Sequence, residues 1–248
     1  MRGVPGEPPV VHLDGQRTWP AAVREFAEHW AGELGGSSEC AGDLRFPERA
    51  LAEFTALIRS SPVRAYHCTR LLDEEAADIR SGGLRPLTVD LVEARIRAAC
   101  AGGWLTLDEG EALLSGNAVD CDRGQRFGQV CAVAGRSLLD EDPGAVEMLL
   151  STWGGEVIYR AHERTALGAR LRSMGTPAIV AVNLRLRAHS RAPRFWPPLA
   201  CLFTGRLLGL PDTWGDVFFY GPVAAADVAA IWQPGDREYD RHARLPKR

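Results

Sequence analysis

The sequence contains almost no lysine: Lys247 is the single one among 29 basic residues, and the others are arginines. Schiff-base enzymes need a lysine amine as their nucleophile, so we expect no chemistry of that class. The basic residues are also outnumbered by 32 acidic ones, which gives a net charge of −3. This balance offers no clear nucleic-acid signal and no reason to expect an anionic membrane surface as a partner.

Long hydrophobic runs are missing as well. No window holds 18 consecutive apolar residues, so the sequence predicts no membrane-spanning helix. Residues 1–9 are rich in proline and lack the apolar stretch of a secretory signal. We therefore expect a cytoplasmic protein that makes no membrane contact.

Several familiar site motifs are absent. The sequence has no P-loop, no Gly-x-Gly-x-x-Gly after a strand, no His-Glu-x-x-His and no Gly-x-Ser-x-Gly. Its six cysteines are scattered without a Cys-x-x-Cys pair. This spacing predicts reduced thiols and no metal site.

What is present is an ordinary globular composition, with 46% hydrophobic and 25% charged residues in 248. Apolar residues at helical spacing, with capping residues before them or glycine and proline after them, predict helices. These helices cover residues 20–34, 47–61, 73–79, 88–102, 106–115, 145–153 and 225–232.

Strand patterns are concentrated in the second half of the chain. The predicted strands cover residues 63–68, 129–134, 156–159, 177–184, 199–207 and 216–220. Helices that come first and strands that come later favour an α+β architecture. We expect a loosely packed arm at 1–17, an N-terminal helical segment at 18–62, a core at 63–232 and a polar tail at 233–248.

Three short segments carry the functional interpretation. The first predicted strand ends in Tyr66-His67-Cys68-Thr69-Arg70, and the helix after it ends in Gly82-Gly83-Leu84. Residues 124–131 contain glycines on either side of the start of a predicted strand. Residues 216–223 begin with Asp216, continue as a predicted strand and end with a Gly-Pro pair followed by valine. In these features, across residues 63–232, the chain resembles the ADP-ribosyltransferase-like superfamily.

The resemblance implies a core of split antiparallel or mixed sheets, with NAD held in a bent form between the sheets. The N-terminal helical segment precedes this core in the sequence. NAD is then the substrate, and each matching residue receives a binding role. These roles would be ribose binding by His67 and Thr69, pyrophosphate binding by Arg126, nicotinamide stacking by Phe127 or Tyr159, and close backbone approach at Gly128.

The resemblance also implies a catalytic acid on a late strand. This acid bonds the 2′-hydroxyl of the nicotinamide ribose and stabilises the positive charge that develops as nicotinamide leaves. Asp216 holds the matching position, although the family usually has Glu there. Glu156 is the nearest glutamate on a predicted strand. Three alternatives follow: Asp216 acts with a shifted backbone, Glu156 takes the role, or transferase activity has been lost.

The expected function is therefore cleavage of the nicotinamide–ribose bond, with transfer of ADP-ribose to an unknown macromolecular acceptor or to water. One alternative is a non-catalytic interaction protein on the same scaffold, since a fold does not imply an activity. Another is a Cys–His hydrolase that uses Cys68, Cys121 or Cys131 with His67 or His162. Neighbours on a strand point to opposite faces, so His67 and Cys68 do not pair with each other.

Overall fold

The structure is a computed structural model that describes residues 8–34, 38–117, 126–141, 143–187, 192–211 and 215–242. It is an α+β protein with one six-stranded antiparallel sheet, in the order β4-β5-β2-β1-β3-β6. The strands are β1 (Val63–Leu71), β2 (Gln129–Val133), β3 (Thr176–Leu184), β4 (Arg194–Trp196), β5 (Asp216–Tyr220) and β6 (Val228–Trp232).

The chain forms two compact units. The first unit consists of Met1–Tyr66, Cys131–Asp142 and Ala181–Tyr220, and the second of His67–Val130, Pro143–Val180 and Gly221–Arg248. The segment boundaries expected from the sequence at residues 17, 62 and 232 stay a prediction. Among the described residues, no helix combines the length and the apolar character needed to cross a bilayer.

Aromatic side chains form the core of the first unit. Its helices are α1 (Ala21–Leu34), α2 (Glu48–Ile58), α6 (Leu138–Glu141) and α10 (Leu199–Leu208). The ring of Phe203 in α10 lies 4.7 Å from that of Trp19 and 5.4 Å from that of Phe54. Phe26 in α1 contacts Phe54 at 5.1 Å. These rings join α1, α2 and α10 into one apolar layer.

The segment before α1 is packed more closely than the sequence indicates. Val11 and Leu13 are almost completely buried, although we expected a loosely packed arm there. Val11 forms a parallel bridge with Val63 at the start of β1, through hydrogen bonds with Pro62 and Arg64. Burial of two apolar side chains stabilises the packing of this Pro-rich segment, and the bridge to the start of β1 satisfies its backbone.

Seven helices of the second unit lie within the described residues, and the sequence predicted the N-terminal caps of two of them. They are α3 (Asp73–Gly82), α4 (Val89–Ala101), α5 (Leu107–Gly116), α7 (Pro143–Ser151), α8 (Glu156–Tyr159), α9 (Ala166–Ser173) and α11 (Arg237–Asp240). The Thr88 hydroxyl accepts the N–H of Leu91 at the start of α4. Thr106 and Glu109 form the predicted capping box of α5, with bonds of 3.2 and 2.8 Å.

Three predicted elements are wrong in type: residues 156–159, 199–207 and 225–232. Residues 199–207, predicted as a strand, form helix α10, which begins after Pro198. Leu199 to Gly205 are all buried, and a short run that is apolar throughout has the same pattern in a buried helix as in a buried strand. Residues 225–232, predicted as a helix, form a short 3-10 turn followed by strand β6. The alanine content favoured a helix, but pairing at the sheet edge overrides that weak preference.

Candidate functional site

A glycine turn before β2 lies at the centre of the candidate site. Gly128 has φ +76°, a conformation that favours glycine, and a Cβ there would meet nothing within 4 Å. Its N–H donates to the carbonyl of Leu87 at 2.8 Å, and its own carbonyl accepts the N–H of Gly221 at 3.3 Å. The turn therefore joins two segments that the sequence singled out separately, residues 124–131 and the Gly221-Pro222 pair. Residues 124 and 125 lie outside the described residues.

The glycine pair after α3 lies against the same late segment. Leu84 and Val223 form an antiparallel bridge with N–H···O distances of 3.0 and 2.9 Å. Gly83 has φ +86°, and a Cβ on it would overlap the carbonyl oxygen of Val223. Glycine is thus required here both by backbone conformation and by close approach. The end of α3 and the Gly221–Val223 segment are held together by main-chain contacts.

Glu156 enters this region through an ion pair. The guanidinium Nη1 of Arg126 donates to Oε2 of Glu156. Their side chains are 33% and 18% exposed, so both charges are partly removed from water. Because effective dielectric constants fall with burial, such a pair is oriented more firmly than one on the surface. Two residues predicted for separate roles, pyrophosphate binding and acid catalysis, therefore contact each other.

The strand predicted at residues 156–159 is wrong: these residues form the short helix α8. Gly154 and Gly155 both have positive φ and reverse the chain. The carbonyl of Gly155 then accepts the N–H groups of Ile158 and Tyr159 at 3.0 and 3.1 Å. Glu156 consequently occupies the first turn of a helix, where a carboxylate is favoured by the exposed N–H groups.

Tyr159 is buried in the apolar core of the second unit and is 2% exposed. Its hydroxyl makes no hydrogen bond among the described residues. Burial, and then the charge of Glu163, raises the pKa of this hydroxyl, while Arg126 and Arg160 act in the opposite direction. Because the Tyr159 ring is enclosed, nicotinamide cannot stack on it. The Phe127 ring, next to Arg126 in the sequence, is 36% exposed and is open to stacking.

His67 and Thr69 share one face of β1 by strand alternation. His67 is half-buried and Thr69 is 8% exposed. Tyr66 pairs with Val133, so the two strands run antiparallel and the start of β2 lies beside the part of β1 that carries these side chains. This placement brings the His-x-Thr element to the strand that Gly128 introduces.

The other face of β1 carries Cys68 and Arg70. Burial raises the pKa of the Cys68 thiol to about 12, so the thiol keeps its proton at neutral pH and is a poor nucleophile. Both side chains act electrostatically on the buried hydroxyl of Tyr239 in α11, and burial raises the pKa of that hydroxyl. The segment expected to be a polar tail therefore contributes a core residue. Cys121, another thiol of the Cys–His alternative, lies outside the described residues.

Asp216 is placed elsewhere. It begins β5, is exposed, and lies opposite Trp196 of β4 in the first unit, whereas His67 belongs to the second. Of the two carboxylates that the sequence proposed, Glu156 is the one that the structure places with Arg126. Strand β4 was not predicted, although the aromatic pair Phe195-Trp196 is typical of a strand.

Two cavities lie in the described part of the chain, and none of the candidate residues lines them. One, of about 580 Å³, lies between α1 and α2, beside Phe26 and Trp30. The other, of about 280 Å³, lies between α4 and α5, beside Ile96 and Leu107. Within the described ranges, no group of three or more His, Cys, Asp or Glu side chains is arranged to hold a metal ion.

Comparison with known proteins adds no relative. No protein family, no curated protein and no solved structure matches this chain. The structure is α+β, and this architecture alone does not define an ADP-ribosyltransferase fold. The resemblance to that superfamily therefore rests on the short sequence motifs alone.

Proposed function

We propose that this chain binds NAD and cleaves its nicotinamide–ribose bond, passing ADP-ribose to a macromolecular acceptor or to water. The observation that carries the proposal is the Arg126–Glu156 ion pair beside the Gly128 turn, which is itself bonded to Gly221. The resemblance assigns roles to these segments although they are far apart in the sequence. Their contact within one unit supports a common role.

Glu156 is the acid in this proposal. Arg126 donates to its Oε2, and we assign Oε1 to the 2′-hydroxyl of the nicotinamide ribose. As the C–N bond breaks, its electron pair leaves with nicotinamide and positive charge develops on the ribose. A fixed carboxylate beside that charge stabilises the transition state more than the ground state. The acceptor oxygen or nitrogen then attacks the anomeric carbon and loses its proton. Arg126 is a positioning residue, since it acts through the carboxylate that it orients.

The binding roles fall to the neighbouring groups. The exposed ring of Phe127 stacks on nicotinamide, and the open space over Gly128 admits the ligand against the backbone. His67, half-buried on β1, donates to the adenosine-side ribose, with Thr69 beside it on the same face. Tyr159 is left out of the proposal because its ring is enclosed. Asp216 is left out because it belongs to the first unit, whereas Glu156 is the carboxylate that pairs with Arg126.

The test is release of nicotinamide from NAD by the purified full chain and by Glu156→Gln. The amide keeps the size of the side chain but loses its charge. We expect the rate to fall by about a hundredfold, as it does when one group that stabilises developing charge is removed. Glu163→Gln is the matched control, since Glu163 is an exposed glutamate seven positions away, and it should keep the wild-type rate within about twofold.

Stability must be measured in the same variants, because Glu156 also neutralises Arg126. A melting temperature of Glu156→Gln close to that of the wild type assigns the lost rate to chemistry. Equal rates in Glu156→Gln and the wild type would refute the role of Glu156. A wild-type chain that releases no nicotinamide and shows no rise in melting temperature with NAD would refute the proposed function as a whole.

A further inference from the structure

The outer face of β4 and β5, in the first unit, combines aromatic and charged side chains. Arg194 lies opposite Phe218 and Trp196 lies opposite Asp216, so these four residues share one side of the sheet. We call them the β4–β5 face. The alternate residues of β5, Val217 and Phe219, are 0% and 3% exposed and belong to the core. Strand alternation therefore leaves this face to solvent.

Trp196 is the most exposed aromatic residue recorded in the described part of the chain, with 62% of its surface open. It lies on β4, which is an end strand of the sheet. A single exposed apolar residue needs no explanation by itself. Here, however, the indole lies directly across from the exposed carboxylate of Asp216, which joins a flat stacking surface to a hydrogen-bond acceptor.

Arg194 adds a fixed positive charge two residues before Trp196. Its guanidinium carbon lies 4.5 Å from the centre of the Phe218 ring. This cation–π contact limits the motion of an otherwise exposed side chain, so less freedom is lost when the guanidinium binds an anion. Residues two apart on a strand are separated by about 7 Å. The face therefore presents a carboxylate, an aromatic plane and a cation within about the length of one nucleotide.

We propose that the β4–β5 face binds the nucleoside 5′-phosphate part of a ribonucleotide. The base stacks on Trp196, the Asp216 carboxylate accepts from the 2′- and 3′-hydroxyls of the ribose, and Arg194 donates to the phosphate. Charge complementarity orients the ligand, since the anionic phosphate and the hydroxyl donors meet groups of the matching kind. The proposal assigns a second ligand site that uses neither Glu156 nor Arg126, and so it goes beyond the proposed function.

The test is calorimetric titration of the full chain with adenosine 5′-monophosphate. Trp196→Ala should weaken binding by about tenfold, within the range that alanine substitution of base-stacking aromatic residues gives. Arg97→Gln, which changes an exposed arginine on α4, is the matched control and should leave the affinity unchanged. His67→Ala should also leave it unchanged; because His67 holds the adenosine-side ribose in the proposed NAD site, this variant separates the two sites.

Two ligand comparisons test the assigned contacts individually. The wild type should prefer adenosine 5′-monophosphate to its 2′-deoxy form, and Asp216→Ala should abolish that preference. Similarly, Arg194→Gln should abolish the preference for the monophosphate over adenosine. These ratios are insensitive to a general loss of fold. No binding at millimolar nucleotide, or equal affinities in the wild type and Trp196→Ala, would overturn the proposal.

Discussion

Glu75 is the residue whose replacement tests the packing of the second unit most sharply. Its Oε2 accepts the N–H of Leu72 and the indole N–H of Trp153, each at 2.8 Å. Its Oε1 accepts Nε of Arg95 at 2.6 Å, and the Arg95 guanidinium lies 5.0 Å above the Trp153 ring. One carboxylate therefore connects the start of α3 to α4 and to Trp153, two residues after the end of α7.

Glu75→Gln changes this arrangement in a predictable way. An amide has one acceptor atom, whereas three donors surround the two oxygens of the carboxylate. With the carbonyl turned to Leu72 and Trp153, the NH₂ group faces another donor on Arg95. A hydrogen bond to a charged group contributes about 1.5–3 kcal/mol. Since the side chains of Arg95 and Glu75 are 20% and 16% exposed, water replaces part of the lost hydrogen bond. We therefore expect the free energy of unfolding to fall by about 2 kcal/mol.

Urea denaturation, followed by circular dichroism, measures the change in the free energy of unfolding. Arg95→Met completes a double-mutant cycle, because it removes the second charge and keeps an apolar stem over the Trp153 ring. We expect Glu75→Gln to cost much less in the Arg95→Met background than alone. A loss below about 0.5 kcal/mol for the single variant, or full additivity in the cycle, would refute this reasoning.

Three further predictions concern single positions. Because burial raises the pKa of Cys68 from 9.0 to about 12, the folded chain keeps a proton that the unfolded chain loses, and the free energy of unfolding should fall by about 1.4 kcal/mol per pH unit across that interval. Urea titrations should show a steeper fall in the wild type than in Cys68→Ala, which keeps only the contribution of other buried groups such as Tyr159 and Tyr239; equal slopes would contradict the assignment. Gly83→Ala should cost at least about 2 kcal/mol, since φ is +86° and a carbonyl oxygen occupies the space of the Cβ, whereas Gly82→Ala should be neutral or slightly stabilising. Similar losses for the two would show that crowding at Gly83 is not the cause. Thr106→Ala should lower the melting temperature by removing about 1 kcal/mol of capping energy, and Ser115→Ala in the same helix should not.

Local signals predicted part of the fold well. The capping residues Thr88 and Thr106 begin helices as expected, because a hydroxyl that accepts an N–H two or three residues later acts within one turn. The run at 177–184 is a strand, since its β-branched residues fit a sheet buried on both faces. Such interactions are visible in the sequence because the partners are close along the chain.

Long-range contacts determine the type or burial of the segments that were predicted wrongly. Residues 199–203 are apolar at every position, so no periodicity within that run separates the helix that forms from a buried strand. Strand β6 depends on a place at the sheet edge, which the alanine-rich sequence does not reveal. Likewise, Val11 and Leu13 are buried by neighbours more than 40 positions away, such as Pro62.

The candidate site was predicted as a set of residues but not as an arrangement. The motifs supplied Arg126 and Gly128, and Glu156 was the nearest glutamate on a predicted strand; nothing in their spacing indicated that an arginine and a glutamate 30 positions apart would pair. The double glycine before Glu156 was visible, but its two positive φ angles, which turn the predicted strand into a helix, were not. Both the ion pair and these backbone angles depend on how α8 packs in the second unit.

The central claim is that the Glu156 carboxylate, held by Arg126, supports cleavage of NAD. Its most direct test is the steady-state rate of nicotinamide release by the wild type and Glu156→Gln across a range of NAD concentrations. The account predicts a kcat about a hundredfold lower in the variant with KM changed by less than about threefold, because the carboxylate acts mainly in the transition state. An unchanged kcat, or a wild type that releases no nicotinamide, would contradict it.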